Sequence, residues 1–211
     1  MSYDGQTIGL FGGTFNPAHS GHLHVAKCGL QRLDLDQIWW MVSPGNPLKT
    51  DHPSSSAPYS ERVASVEALN LPPRMNISHM ERDFGTIYTV ETLRRAKNRW
   101  PRTHFVFLMG ADNLLQLPRW KGWREIMETV PIAVIARPGA KTSDTLKARL
   151  SQAARLYSYA RIPESQAHTL ANYEAPAWTY LTPPLNALSS TAIRNHPHHS
   201  LDTKPVMDHK P

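Results

Sequence analysis

Apolar positions along this chain follow two alternating rhythms. Short runs of β-branched and aromatic residues give way to longer stretches in which apolar side chains return every three or four positions. Thr7–Phe11 reads as a buried strand, and Gly21–Leu33 as a helix with Leu23, Ala26, Leu30 and Leu33 on one face. Gln37–Val42 is a second strand. Ser43–Pro58, rich in Pro, Ser and Gly, is an irregular loop. Ser60–Leu69 follows as a helix with Ser60 as its N-cap, stopped by Pro72-Pro73. Met75–His79 is a weaker strand, Thr89–Trp100 a helix, and Phe105–Met109 an apolar central strand. Asp112–Leu117 and Gly122–Thr129 are short helices separated by Pro118. Ile132–Ala136 is a further buried strand, Ser143–Tyr157 a helix, Trp178–Leu181 a short strand, and Ser189–Asn195 the start of a last helix.

Strands and helices alternating at this spacing predict an α/β fold: a Rossmann-like, doubly wound parallel sheet with helices on both faces. Strands that are apolar throughout fit a sheet buried on both sides. One domain over residues 1–195 is expected, with a small helical part at its C-terminal end. Residues 196–211, with Pro197, Pro205 and Pro211, are expected to form a flexible tail.

Composition narrows the classes. With 40% hydrophobic and 19% charged residues in 211, the chain holds enough apolar material for a core and too much for a disordered protein. Its formal charge of +6 suits anionic partners such as nucleotides and pyrophosphate, although a merely basic surface reads the same way. The basic residues are dispersed, so no nucleic-acid-binding arm is expected. Cys28 is the single cysteine and sits in an apolar helical pattern, so it reads as core packing. An intrachain disulfide is impossible, compatible with a reducing cytoplasm. Neither a secretory leader nor a membrane span is expected. His196, His198 and His199 have no acidic or cysteine partner near them and read as solvated residues of the tail rather than metal ligands. A monomer or small homo-oligomer is expected.

The candidate chemistry lies where the first strand ends, in Gly12-Gly13-Thr14-Phe15-Asn16-Pro17-Ala18-His19-Ser20-Gly21-His22. Gly12 and Gly13 let backbone N–H groups approach a phosphate, and the helix beginning near Ser20 directs its positive dipole end to the same place. His19 and His22 bracket that helix start, and imidazoles there can donate to phosphate oxygens. The residues alone also allow two ordinary histidines, one capping and one packed. The run is neither a Walker A loop, lacking Gly-Lys-Ser/Thr, nor a GxGxxG fingerprint. Near the other end, Leu188-Ser189-Ser190-Thr191-Ala192-Ile193-Arg194 offers hydroxyls and amides at a helix start, with the planar fork of Arg194 one turn on.

The first run resembles the HxGH nucleotidyltransferase superfamily, whose signature GGxFxPxHxGH it completes, and the second resembles that superfamily's [IL]SSTxIR. Asn16 stands where many members carry Asp, which keeps a hydrogen-bonding turn and removes a charge. Three further segments extend the resemblance. Phe107-Leu108-Met109-Gly110-Ala111-Asp112-Asn113 closes the central strand. Gly85-Thr86-Ile87-Tyr88-Thr89-Val90-Glu91-Thr92-Leu93 opens a helix, and Leu117-Pro118-Arg119-Trp120 places an aromatic plane after a rigid proline. Together they are similar to bacterial nicotinate-nucleotide adenylyltransferases, from Ile8 to Arg194.

That resemblance implies adenylyl transfer from ATP to nicotinate mononucleotide, in NAD biosynthesis. His19 and His22 would meet the α- and β-phosphates, and Arg194, with Ser189, Ser190 and Thr191, the triphosphate from the other side. Gly12, Gly13, Thr14, Phe15, Gly110 and Asp112 would hold nucleotide, and Lys49 a phosphate. Thr89 and Trp120 would line the nicotinate pocket. Mg²⁺ would bridge the triphosphate oxygens, held mainly by phosphate and water. On residue type alone Trp120 also reads as core, Thr89 as a helix cap and Lys49 as a loop charge. The Ser43–Lys49 loop departs from the Pro-Pro-His forms common in the family. Relatives acting on nicotinamide mononucleotide or phosphopantetheine are the enzymatic alternatives, and a non-catalytic nucleotide sensor is the alternative of a different class.

Overall fold

The computed structural model describes residues 2–45, 57–136 and 142–182. In chain order these form β1 (Thr7–Gly13), α1 (Ser20–Arg32), β2 (Gln37–Val42), α2 (Tyr59–Glu67), β3 (Met75–Ser78), α3 (Met80–Asp83) and α4 (Thr89–Arg99). Then come β4 (His104–Gly110), α5 (Ala111–Gln116), α6 (Trp123–Thr129), β5 (Ile132–Ile135), α7 (Thr142–Arg149), α8 (Gln152–Leu156) and β6 (Trp178–Leu181). Three 3₁₀ segments, Leu117–Arg119, Ser158–Ala160 and Glu164–Asn172, complete the series.

The six strands make one sheet in the order β3-β2-β1-β4-β5-β6, and every pairing is parallel. Phe11 of β1 pairs with Trp40 on one side and Leu108 on the other. The chain winds outward from β1 to β3, then returns to the far side of β1 to lay down β4. That reversal opens a crevice beyond the carboxyl ends of β1 and β4, where doubly wound sheets bind ligands.

Strand side chains alternate between two cores, as period-two geometry requires. Ile8, Leu10, Phe105, Phe107 and Met109 pack on one face with Val90 and Leu93 of α4 and Ile126 of α6. Phe11, Val106, Leu108 and Ile135 pack on the other with Val25 and Ala26 of α1 and Val66 of α2. The doubly wound architecture expected from the pattern is therefore present.

Three local expectations need correction. Ala26 and Leu33 of the expected α1 face are buried, but the helix also turns His22, Val25 and Gly29 inward, and Leu23 and Leu30 are only partly buried. The cause is Gly29: a Cβ there would lie 3.2 Å from Leu108 Cδ1 and 3.3 Å from Ile135 Cδ1, so the missing side chain lets the helix settle on the sheet. Cys28 is consequently half-buried at the edge of that core, where desolvation raises its thiol pKa. α2 begins at Tyr59 with Pro58 as its N-cap and no side-chain capping bond, so Ser60 is not the cap. The single helix expected over Ser143–Tyr157 is two, because Ser151 leaves helical geometry and its Oγ caps α8 by accepting from Ala154 N at 3.3 Å. The helix expected at Ser189–Asn195 and the tail lie outside the described residues.

Candidate active site

The glycines at the end of β1 have extended backbones, and their importance is one of space. A Cβ on Gly13 would lie 2.9 Å from Phe15 Cζ, and one on Gly12 3.2 Å from Phe107 Cε2. Phe15 is the reason for the first restriction. It adopts φ +45, a left-handed backbone that a bulky residue takes only under constraint, and this folds its buried ring back over Gly13. There the ring packs against Phe11, Trp40 and, at 5.2 Å between centroids, His22.

His19 and His22 cap α1 for each other. His19 is the N-cap, with Nδ1 accepting from Gly21 N at 3.1 Å, while His22 Nδ1 accepts from His19 N at 3.2 Å. This is the reciprocal geometry of a capping box built from imidazoles. Both rings are buried and their centroids lie 4.0 Å apart. Because each Nδ1 is engaged as an acceptor, a neutral ring carries its proton on Nε2. Both rings cap, and the capping bonds engage Nδ1 of each.

Across the crevice β4 ends at Gly110, which is the N-cap of α5, and Asp112 stands half-buried in that helix's first turn. The segments carrying Thr89 and Trp120 also meet. Thr89 is the first residue of α4, behind Tyr88 as N-cap, and Trp120 is half-buried against the core. Lys121, next to Trp120, places Nζ 4.1 Å from the centroid of the Tyr88 ring and 2.9 Å from Glu91 Oε1. A Cβ on Gly122 would sit 3.2 Å from Val90 Cγ1, so these segments are in close contact. Lys49, Ser189, Ser190, Thr191 and Arg194 lie outside the described residues.

Residues 10–196 match the cytidylyltransferase-like family. A probable nicotinate-nucleotide adenylyltransferase of Ruegeria sp. (strain TM1040) is 48% identical over 89% of this chain and 96% of its own. One of Caulobacter sp. (strain K31) is 51% identical over the same shares. This chain belongs to the nicotinate-nucleotide adenylyltransferase family. Among solved structures, the Plasmodium falciparum nicotinic acid mononucleotide adenylyltransferase complexed with NaAD superposes with a TM-score of 0.62 over 90% of this chain and 83% of that one. At 15% identity, that likeness is one of fold.

Two features of this adenylyltransferase were not legible in its motifs. Arg62 of α2 is buried, and among the described residues its guanidinium donates only to carbonyl oxygens. Nε reaches Ala57 O at 3.0 Å, one terminal nitrogen reaches Thr14 O at 2.8 Å and Ser43 O at 2.7 Å, and the other reaches Pro44 O at 3.4 Å. Asn16 Oδ1 accepts from Ala57 N at 3.1 Å, so Asn here does keep a bridging bond. A usable signal existed: Arg62 and Val66 are one helical turn apart and are the two buried positions of α2. The second feature is Glu81 in α3. It is buried, its Oε2 has no hydrogen-bond partner among the described residues, and desolvation pushes its pKa up to about 7. Among the described residues, no group of three or more His, Cys, Asp or Glu could hold a metal ion, and no helix is long and apolar enough to cross a membrane.

Proposed function

We infer that this chain transfers the adenylyl group of ATP to nicotinate mononucleotide, forming nicotinate adenine dinucleotide and releasing pyrophosphate in NAD biosynthesis. The observation that carries this reading is the imidazole pair at the start of α1, directly beyond β1 and beside the crevice facing Gly110. Relatives 48–51% identical over nearly their whole length support the choice of acceptor.

The acceptor's own phosphate is the nucleophile and is already anionic at neutral pH, so no general base is needed. Its oxygen bonds to the α-phosphorus, and the bond from that phosphorus to the leaving oxygen breaks, sending its electron pair to pyrophosphate. The protein's work is alignment, worth roughly 7–11 kcal/mol, and fixed donors for the charge that moves. Nε2–H of His19 and His22 supplies such donors on the α- and β-phosphate side, with the α1 dipole behind them. Arg194, with Ser189, Ser190 and Thr191, serves the β- and γ-phosphates. Gly12, Gly13, Thr14, Phe15, Gly110 and Asp112 shape the nucleotide site, with Asp112 accepting from ribose hydroxyls, and Lys49 meets a phosphate. A divalent cation such as Mg²⁺ would supply charge neutralisation for the triphosphate, and it would be held mainly by substrate oxygens and water.

Thr89 and Trp120 form the nicotinate pocket in this reading. The start of α4 presents amide donors, which suit a carboxylate, whereas the NH₂ of nicotinamide would face a donor without an acceptor. Such a mismatch costs ~1–3 kcal/mol, so kcat/KM should favour nicotinate mononucleotide by about tenfold or more. Pyrophosphate release with ATP plus nicotinate mononucleotide, nicotinamide mononucleotide or phosphopantetheine tests this. Equal kcat/KM for the first two would reject the pocket, and turnover with phosphopantetheine alone would reject the acceptor class. Lys121→Met should raise KM for nicotinate mononucleotide roughly two- to fivefold, the equivalent of ~0.5–1 kcal/mol, because it unfastens the two pocket segments. KM for ATP should stay unchanged, and a change confined to ATP would contradict the assignment.

A further inference from the structure

Arg62 is a cation withdrawn from water with no acid to receive it among the described residues. Among the described residues no carboxylate lies within ion-pair distance; its partners are carbonyl oxygens, and the ring of Tyr59 lies 5.6 Å from its guanidinium carbon. Burial depresses its pKa, as expected for a desolvated cation. Burying a charge that no described carboxylate neutralises is costly, and closing three loops does not by itself require one. The positions of the carbonyls explain it. Thr14 lies in the turn after β1, Ser43 and Pro44 in the segment leaving β2, and Ala57 in the approach to α2. These are the rims of two neighbouring strands at the ligand-binding edge of the sheet.

We propose that Arg62 is a positioning residue for adenylyl transfer: it fixes the turn after β1 and the segment after β2 at one separation, and so sets the alignment of the two bound phosphates. The proposal rests on the reading that this edge binds ATP and a phosphorylated acceptor. Its positive charge, met by backbone carbonyl dipoles, also raises the potential beneath the turn where anions collect. Ser65, one turn away on α2, ties the same turn by accepting from Ala18 N at 3.0 Å. Lysine cannot replace the guanidinium: one ammonium nitrogen cannot reach carbonyls on three segments in the plane that a fork spans.

The test is steady-state kinetics of Arg62→Lys and Arg62→Gln with both substrates varied, beside circular dichroism and thermal melts to count folded protein. Misalignment lowers kcat while leaving ground-state binding nearly intact. Per folded molecule, kcat should therefore fall about 30-fold or more in Arg62→Lys, with each KM within about threefold of wild type. Arg62→Gln, which also loses the charge, should fall further. Unchanged kcat per folded molecule in both variants, with any activity lost only in step with folded protein, would assign Arg62 to stability alone and overturn the proposal. If neither variant folds, Ser65→Ala decides: kcat lowered about threefold or more at unchanged KM supports α2 as the aligning element, and unchanged kcat overturns it. Wild-type enzyme run alongside separates the two readings, since failure to release pyrophosphate with nicotinate mononucleotide would reject the proposed function rather than the role of Arg62.

Discussion

Replacing His22 with alanine should slow adenylyl transfer by at least ~100-fold while leaving the protein folded, because one fixed donor at a transferring phosphoryl group typically carries that much. Two effects must be separated. The ring accepts a hydrogen bond from His19 N and packs edge-on against Phe15, so its loss also removes a cap and a contact. Loss of a capping interaction costs ~1 kcal/mol of stability and does not by itself reach the rate. His22→Asn keeps a side-chain acceptor for the His19 amide but has no Nε2. It should recover most of the melting temperature and little of the turnover. Single-turnover formation of the dinucleotide, with thermal melts of both variants, distinguishes the contributions. A folded His22→Ala enzyme turning over at near the wild-type rate would remove His22 from the mechanism.

The second large effect concerns stability and pH. In the native state the Glu81 carboxyl holds its proton up to about pH 7, against 4.5 for an unperturbed glutamate, because burial penalises the anion. The folded protein thus binds this proton more tightly than the unfolded chain does. The associated stability is complete below about pH 4.5 and is lost as pH rises through about 7. The full difference corresponds to roughly 3 kcal/mol, a sizeable part of a typical domain's net stability. Glu81→Gln cannot ionise. Its melting temperature should gain on wild type as pH is raised from acid to neutral and hold a constant lead above pH 8. Melts of both proteins across this range provide the check. Parallel profiles would show that Glu81 ionises in the native state as easily as in the unfolded chain.

The sequence was most legible where structure follows local pattern. Gln37–Val42 and Trp178–Leu181 were read to the residue, because continuous apolar runs of that length suit strands buried on both sides. The motif at Gly12–His22 was legible because the order strand, glycine turn, helix can be read from adjacent residues. What local pattern could not carry was which polar side chain meets which distant backbone. Arg62 looks like an ordinary helical arginine until Thr14 and Ser43, far away in the chain, are brought to it. Glu81 looks like a surface acid in a charged run, Glu81-Arg82-Asp83, and its burial arises only when α3 closes over the sheet. The inward face of α1 is only half legible for a related reason: hydrophobicity selects Ala26 and Leu33 correctly but also Leu23 and Leu30, whereas close approach to β4 and β5 selects Gly29.

Gly29 has a practical consequence for anyone who wishes to toughen this enzyme. Exchanging a helical glycine for alanine is a standard stabilising change, worth about 1 kcal/mol in an open helix. At this position the added methyl would press on Leu108 and Ile135, neither of which has any exposed surface into which to retreat. The helix would have to lift instead. Roughly 10 to 15 Å along the same rod stand the two imidazoles, so a wedge at Gly29 becomes a lever acting on groups it never touches. Screening for heat resistance alone would not reveal that loss, and candidate substitutions along this helix call for turnover measurements as the first filter.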